Sequence, residues 1–275
     1  MSEDNPEITE KADKANIISR RGFLKLGAAA TQALAIRSGE LNYTSDREPL
    51  NIPTPEDPLC VKLVDREHVL EEKYIKEEIE TELIALGQFT PEVFLRNADV
   101  TGRVRIHSLI TRPLEDLLIS STIAGCDMRI RSGFRSWEEQ DNIFKREGNN
   151  NNTSMPPGSS QHHTGLAIDF TTPKIGNVAR QGAGFEKTRE YDWLEKNAWK
   201  HGFVISYDKN HDGITNESWH WVYVGKNIAA YFQALRKNNW NGDIFDLQKA
   251  YLEKGYAGQI APNKPLTNVK KYRLK

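Results

Sequence analysis

The chain has 275 residues, of which 38% are hydrophobic and 27% charged, and its formal net charge is −1. That length accommodates one large domain, or one domain with extensions, around a substantial core. The near-neutral balance excludes a global basic field for nucleic acid and gives no long-range steering of a charged polymer.

Residues 1–18 are polar, and SRRGFLK at 19–25 then leads into the weakly apolar LGAAATQALAI. Paired Arg20 and Arg21, with Phe23-Leu24-Lys25 and an apolar run too short for a permanent span, resemble a twin-arginine export signal. Ala33-Leu34-Ala35 has the small-x-small pattern of a cleavage site, which predicts a signal peptide over 1–35 and a mature chain starting near Ile36. A basic, Ala-rich amphipathic helix is the plainer alternative. Export predicts a periplasmic or cell-wall-associated protein with no further membrane span. In such a compartment Cys60 and Cys126 could pair or remain buried thiols, and neither has zinc-finger spacing.

Residues 36–59 carry Pro49, Pro53, Pro55 and Pro58 and predict a linker or surface arm. Residues 60–70 are apolar with loop character, 71–83 are charge-rich and either helical or solvated, and 89–100 open with a short turn. HSLITRPLEDLLISSTIAG at 107–125 predicts a helix whose face carries Leu109, Leu114, Leu117, Leu118 and Ile123, starting near Thr111 because of Pro113 and stopping at Gly125. A strand over 127–134 follows, then a helix over 136–148 with Ser136 as N-cap and Glu139 three residues on. After a loop at 149–158 comes the short apolar strand LAIDF at 166–170. A helix over 188–202 ends at Gly202, and FVISY and WHWVYVG predict an antiparallel hairpin. Two helices follow, over 227–238 and 243–254. This order predicts an α+β fold, with a small antiparallel sheet covered by helices.

SSQHHTGLAIDF, residues 159–170, sets Asp169 on an apolar strand shortly after two imidazoles. An isolated buried carboxylate is costly, so a cation is expected beside it. His162 and Asp169 are ligands of the kind Zn²⁺ accepts. The only comparable cluster is NESWHW at 216–221, where Glu217 precedes His220 by three positions. Residues three apart on a strand face opposite ways, so the pair converges only if the chain turns around Glu217 and Ser218.

Ser160-x-His162-x-x-Gly165-x-Ala167-x-Asp169 followed by Glu217-x-Trp219-His220 resembles the VanY-type zinc D,D-carboxypeptidases, whose relatives include D,D-dipeptidases and L,D-carboxypeptidases. SGFRSWEEQ at 132–140, WLEKNAWKHGF at 193–203 and WHWVYVG at 219–225 extend the likeness, which runs from about Leu63 to Gly225. It implies a Hedgehog/D,D-peptidase-like fold and a zinc carboxypeptidase domain over 60–225, with a helical extension over 226–275. It implies that His162, Asp169 and His220 hold Zn²⁺ and that Glu217 moves the proton of the attacking water. Arg135 would stabilise the oxyanion or grip a substrate carboxylate, and Ser132, Gln140 and Ser160 would hydrogen-bond the substrate. The implied activity is removal of the C-terminal D-alanine from peptidoglycan stem peptides. The alternatives are L,D-cleavage of tetrapeptide stems, D,D-dipeptidase action, and a non-catalytic cell-wall binding module on the same scaffold. Ser218 stands where the family often has proline, and RQGAGF at 180–185 has no place in the motif.

DKNHDG at 208–213 imitates the start of a calcium loop, but its twelfth position is Trp219, so a polar hairpin turn is the better expectation. His68, His107, His201 and His211 are expected to be structural or exposed, and His163 to be a neighbour of the ligand rather than a ligand.

Overall fold

The computed structural model describes residues 53–86, 104–175, 184–214, 216–254 and 264–265. The expected signal peptide, most of the expected linker and the 89–100 turn lie outside these residues. Two small antiparallel pairs flank the centre. They are β1 (His68–Val69) with β8 (Lys264–Pro265), and β2 (Leu83–Ala85) with β3 (Arg105–His107).

The central sheet has four strands: β4 (Arg129–Ser132), β5 (Ala167–Thr171), β6 (Phe203–Ile205) and β7 (His220–Tyr223). They are arranged β4-β5-β7-β6, with every neighbour antiparallel. β5 and β7 are buried along their whole length. That explains why both read as nearly continuous apolar runs rather than alternating ones. The hairpin of β6 and β7 forms as expected, with Val204 opposite Val222.

The helices obey their local signals. In α1 (Thr111–Ile123), Leu114, Leu117, Leu118 and Ser121 are buried. Ile123, expected on the same face, is 83% exposed. Nine residues beyond Leu114 at 100° per residue, it lies on the opposite side of the helix. α2 (Trp137–Arg146) starts at a complete capping box: Ser136 Oγ accepts from Glu139 N, and Glu139 Oε2 accepts from Ser136 N. α3 (Arg189–Asn197) is capped by Thr188 and continues as a tight turn over Ala198–His201. Gly202 ends it at φ +88, where a Cβ would strike the Tyr223 ring at 2.4 Å. α4 (Lys226–Lys237) packs on β6, and α5 (Ile244–Glu253) begins at a second capping box, Asp243 with Asp246. Residues 72–82 form a short helical run that passes from α through π to 3-10 geometry.

Residues 53–59, expected as linker, are tied to the fold. Glu56 accepts from Tyr223 Oη at 3.2 Å and from Lys226 N at 3.0 Å, and Pro53 O accepts from Tyr251 Oη at 2.7 Å. Cys60 and Cys126 are separate buried thiols. The acids of the calcium-like turn have protein partners: Asp208 pairs with Arg236 at 2.7 Å, and Asp212 accepts from Arg66 N at 3.0 Å.

In the same turn, His211 ties three segments together. Its Nδ1 is 3.6 Å from Asp243 Oδ2, its Nε2 is 3.8 Å from Asp65 Oδ2 and 3.9 Å from Asp212 Oδ2, and its ring stacks on Phe245 at 3.7 Å. Burial disfavours the imidazolium, but Asp243, Asp65 and Asp212 outweigh it and push its pKa up to about 9. The same contacts hold the carboxyls of Asp65 and Asp243 below their usual range. A raised pKa stabilises the fold fully below the unfolded value of about 6.5, and that contribution fades as pH rises toward 9. Thermal unfolding from pH 6 to 9.5 should therefore show a loss on the order of 2 kcal/mol across this window. His211→Gln should be less stable at pH 6 and flatter above it. An equal slope in both proteins would remove His211 from the account.

Candidate metal and catalytic site

The register of the central sheet builds the site. Asp169 on β5 lies directly opposite His220 on β7, so their side chains share one face. His162 comes from the tight turn Gln161–Thr164, whose first amide hydrogen bonds Ser160 Oγ caps. Gly165 closes that turn at φ +68, against the backbone of His107. All three side chains are buried.

His162 Nε2 is 3.2 Å from Asp169 Oδ1, and His220 Nδ1 is 3.0 Å from the same oxygen. The three ligand atoms lie within 4.8 Å of one another. A tetrahedral ion with bonds of about 2.0–2.1 Å spaces its ligands by about 3.3 Å, which matches both pairs that include Asp169. Hydrogen bonds on the far sides of the rings fix which nitrogens face inward. His162 Nδ1 lies 2.6 Å from the carbonyl of Gly133, which can only accept, so Nε2 keeps its lone pair. His220 Nε2 donates to Gln161 Oε1 at 3.0 Å, leaving the lone pair on Nδ1. Burial and the Arg135 charge push the His162 pKa down to about 3, so the ring is neutral. Burial opposes ionisation of Asp169, but the Arg135 guanidinium at 2.6 Å holds its carboxyl well below the usual carboxylate range. Two imidazole nitrogens and a carboxylate oxygen thus face one point. This donor set fits Zn²⁺.

Arg135 is bound on three sides. Its Nη2 donates to Asp169 Oδ2 at 2.6 Å, its Nε to Ser132 Oγ at 3.0 Å and its Nη1 to Gln140 Oε1 at 3.4 Å. Gln140 is itself fully used, because its Nε2 donates to Met155 O at 2.7 Å and to Ser154 Oγ at 3.3 Å. It therefore sits where it frames Arg135 and the 154–155 loop. Ser132 and Ser160 accept from the protein, and each keeps its own hydroxyl proton; both line the cavity of about 460 Å³ above the three ligand atoms.

Glu217 lines the same cavity. The turn expected around Glu217 and Ser218 is present, closed by His220 N donating to Glu217 O at 3.0 Å, and β7 starts at His220. Serine thus serves where the family often has proline. Burial raises the Glu217 pKa above its ordinary value, against the opposing pull of His220. His163 is held by the protein on both nitrogens, accepting from Gly158 N at 2.9 Å and donating to Arg135 O at 2.7 Å. It positions the Arg135 backbone and is not a ligand. The sequence reading assigned no site role to Gln161, Arg131, Tyr207 or Trp219, all of which stand at or beside the ligand cluster. Adjacency to His162 was the only signal available for Gln161, while Trp219 stood in the motif itself.

Residues 103–226 match the family model of VanY, D-alanyl-D-alanine carboxypeptidase. Over this stretch the chain is similar to the VanY family. It is 36% identical over 118 residues to YodJ of Bacillus subtilis (strain 168), a match covering 40% of this chain and 42% of YodJ. It is 34% identical over 99 residues to a D-alanyl-D-alanine carboxypeptidase of Enterococcus faecium, covering 35% of this chain and 29% of that protein. The chain thus spans less than half the length of these two relatives. Among solved structures, that of the LdcB LD-carboxypeptidase has a TM-score of 0.55 and 25% identity, covering 77% of this chain and 97% of LdcB. The VanY match accounts for β3 to β7; α4 beyond its first residue, α5 and the 53–61 strap lie outside it. No helix among the described residues is long and apolar enough to cross a membrane.

Zinc should raise the melting temperature of chelator-treated protein, with about 2.7 kcal/mol of stabilisation at 100-fold excess over the dissociation constant. His162→Ala and Asp169→Asn should each abolish this response. A melting temperature indifferent to zinc in the unaltered protein would reject the site.

Proposed function

We propose that the chain is an exported zinc-dependent metallopeptidase that removes the C-terminal D-alanine from peptidoglycan stem peptides. The supporting observation is the convergence of two imidazole nitrogens and one carboxylate oxygen beneath a cavity that Glu217 also lines. The Enterococcus faecium relative is named for this activity. Export is supported by Arg20-Arg21 and the apolar run that follows.

Zn²⁺ held by His162, Asp169 and His220 would supply a Lewis acid with an open position and lower the pKa of a bound water toward neutrality. Glu217 takes a proton from the attacking water on its carboxylate and passes it to the leaving amine nitrogen. Its raised pKa narrows the gap between the acid it becomes and the amine it must protonate. Arg135 holds Asp169 ionised and oriented, and its remaining N–H groups are available to the oxyanion. Ser132 and Ser160 donate their free hydroxyl protons to the substrate backbone.

Cleavage of the L,D bond of a tetrapeptide stem is the second reading, favoured by the LdcB likeness over 77% of the chain. Mass spectrometry of penta- and tetrapeptide muropeptides after incubation with zinc-loaded protein separates the two, since the shortened species names the bond. Release of no D-alanine from either would leave a wall-binding module. Glu217→Gln should retain zinc, measured by metal analysis, and lose about 10²–10⁴-fold in turnover. Undiminished turnover would reject Glu217 as the base.

A further inference from the structure

We propose that Arg131 binds the C-terminal carboxylate of the substrate, while Arg135 serves the metal-ligand carboxylate. This assignment rests on the peptidase reading for its substrate, but on separate geometry for its residue.

The first observation is a bulge in β4. Ile130 pairs with Phe170 and Ser132 with Asp169, with a register shift between them, so Arg131 is the extra residue. In an unbroken strand Arg131 and Ser132 would point to opposite faces. Here both line the cavity. The bulge thus brings a second guanidinium onto the side of the sheet where Asp169 and His220 lie.

The second observation is the difference between the two arginines. Arg135 has all three nitrogens engaged, by Ser132, Gln140 and Asp169. The Arg131 side chain makes no hydrogen bond among the described residues. Its Nη2 lies 3.6 Å from Asp169 Oδ2, and its guanidinium lies over the Trp219 ring at 5.7 Å. Asp169 already has a partner at 2.6 Å, so Arg131 is not needed to neutralise it. Stacking on an aromatic face fixes the plane of a guanidinium and leaves its edge donors for a bidentate acceptor. Arg131 is therefore a half-buried fixed cation with unused donors at the reacting centre.

The third observation is reach. In a peptide the terminal carboxylate carbon lies roughly 3–4 Å from the scissile carbonyl carbon. Arg131 stands 3.6 Å from one oxygen of the carboxylate whose other oxygen is a ligand atom. A carbonyl positioned over the ligand cluster therefore places the terminal carboxylate within its range.

The test compares diacetyl-L-lysyl-D-alanyl-D-alanine with its C-terminal amide in zinc-loaded protein. The unaltered protein should prefer the acid in kcat/KM by at least about ten-fold, the value of a charge-assisted pair, chiefly through KM. Arg131→Gln should bring the acid-to-amide ratio close to one, and Arg131→Lys should restore part of it. A purely structural role would lower both substrates alike and leave the ratio standing, which would overturn the proposal. Binding of N-acetyl-D-alanine against N-acetyl-D-alaninamide, followed by ligand NMR, gives a readout without turnover. If neither substrate is cleaved but Arg131→Gln still weakens N-acetyl-D-alanine by at least about ten-fold, the peptidase reading fails and the carboxylate site survives. Equal affinity in both proteins overturns the site.

Discussion

A single ionised carboxylate, Asp169, buried in the middle of the central sheet, sets the terms for everything around it. Charge removed from water costs several kcal/mol unless it is paired and hydrogen bonded. The protein meets that demand with Arg135 on one oxygen and leaves the other oxygen facing two imidazole lone pairs. The arrangement is a half-satisfied polar cluster that a divalent cation would complete. Binding a cation there would couple metal affinity to folding stability.

Holding three donors in that opposition requires backbone that cannot yield. The carbonyl that fixes His162 belongs to Gly133, where a Cβ would come within 2.4 Å of Arg105 O. The turn carrying His162 closes through Gly165 in the left-handed region. These two glycines are needed because β3, the preceding Val104 and Leu83 of β2 press on them, so the small β2–β3 pair is part of the site's support.

The C-terminal helices, which lie outside the family match except for the first residue of α4, reach the same centre from behind. Phe245 of α5 packs on Tyr207 with ring centroids 5.2 Å apart, and Tyr207 packs on His220 at the same separation. Asp243 at the N-cap of α5 grips His211 in the loop between β6 and β7. The N-terminal strap does comparable work at the far end of β7, where Glu56 receives Tyr223 Oη. Both extensions therefore brace the strand that carries His220.

Much of this was legible in residue order. The capping box at Ser136, the stops at Gly125 and Gly202, the β6–β7 hairpin and the pairing of a buried acid with imidazoles follow from local rules: caps, left-handed glycines, period and the cost of buried charge. The sequence likewise pointed to the residues that could meet a metal, through the acid and imidazoles of 162–169 and of 217–220. It did not determine the register that sets Asp169 opposite His220, nor the bulge that turns Arg131 into the cavity. Nor did it decide that Gln140 is consumed by Met155 and Arg135 while Arg131 keeps its donors. Those outcomes depend on which strands become neighbours and by how many residues they slip, and cross-strand pairing joins segments fifty residues apart that have no local energy in common. Tertiary structure alone settles such pairings, since the free energy that selects them arises only when the whole sheet closes over its core.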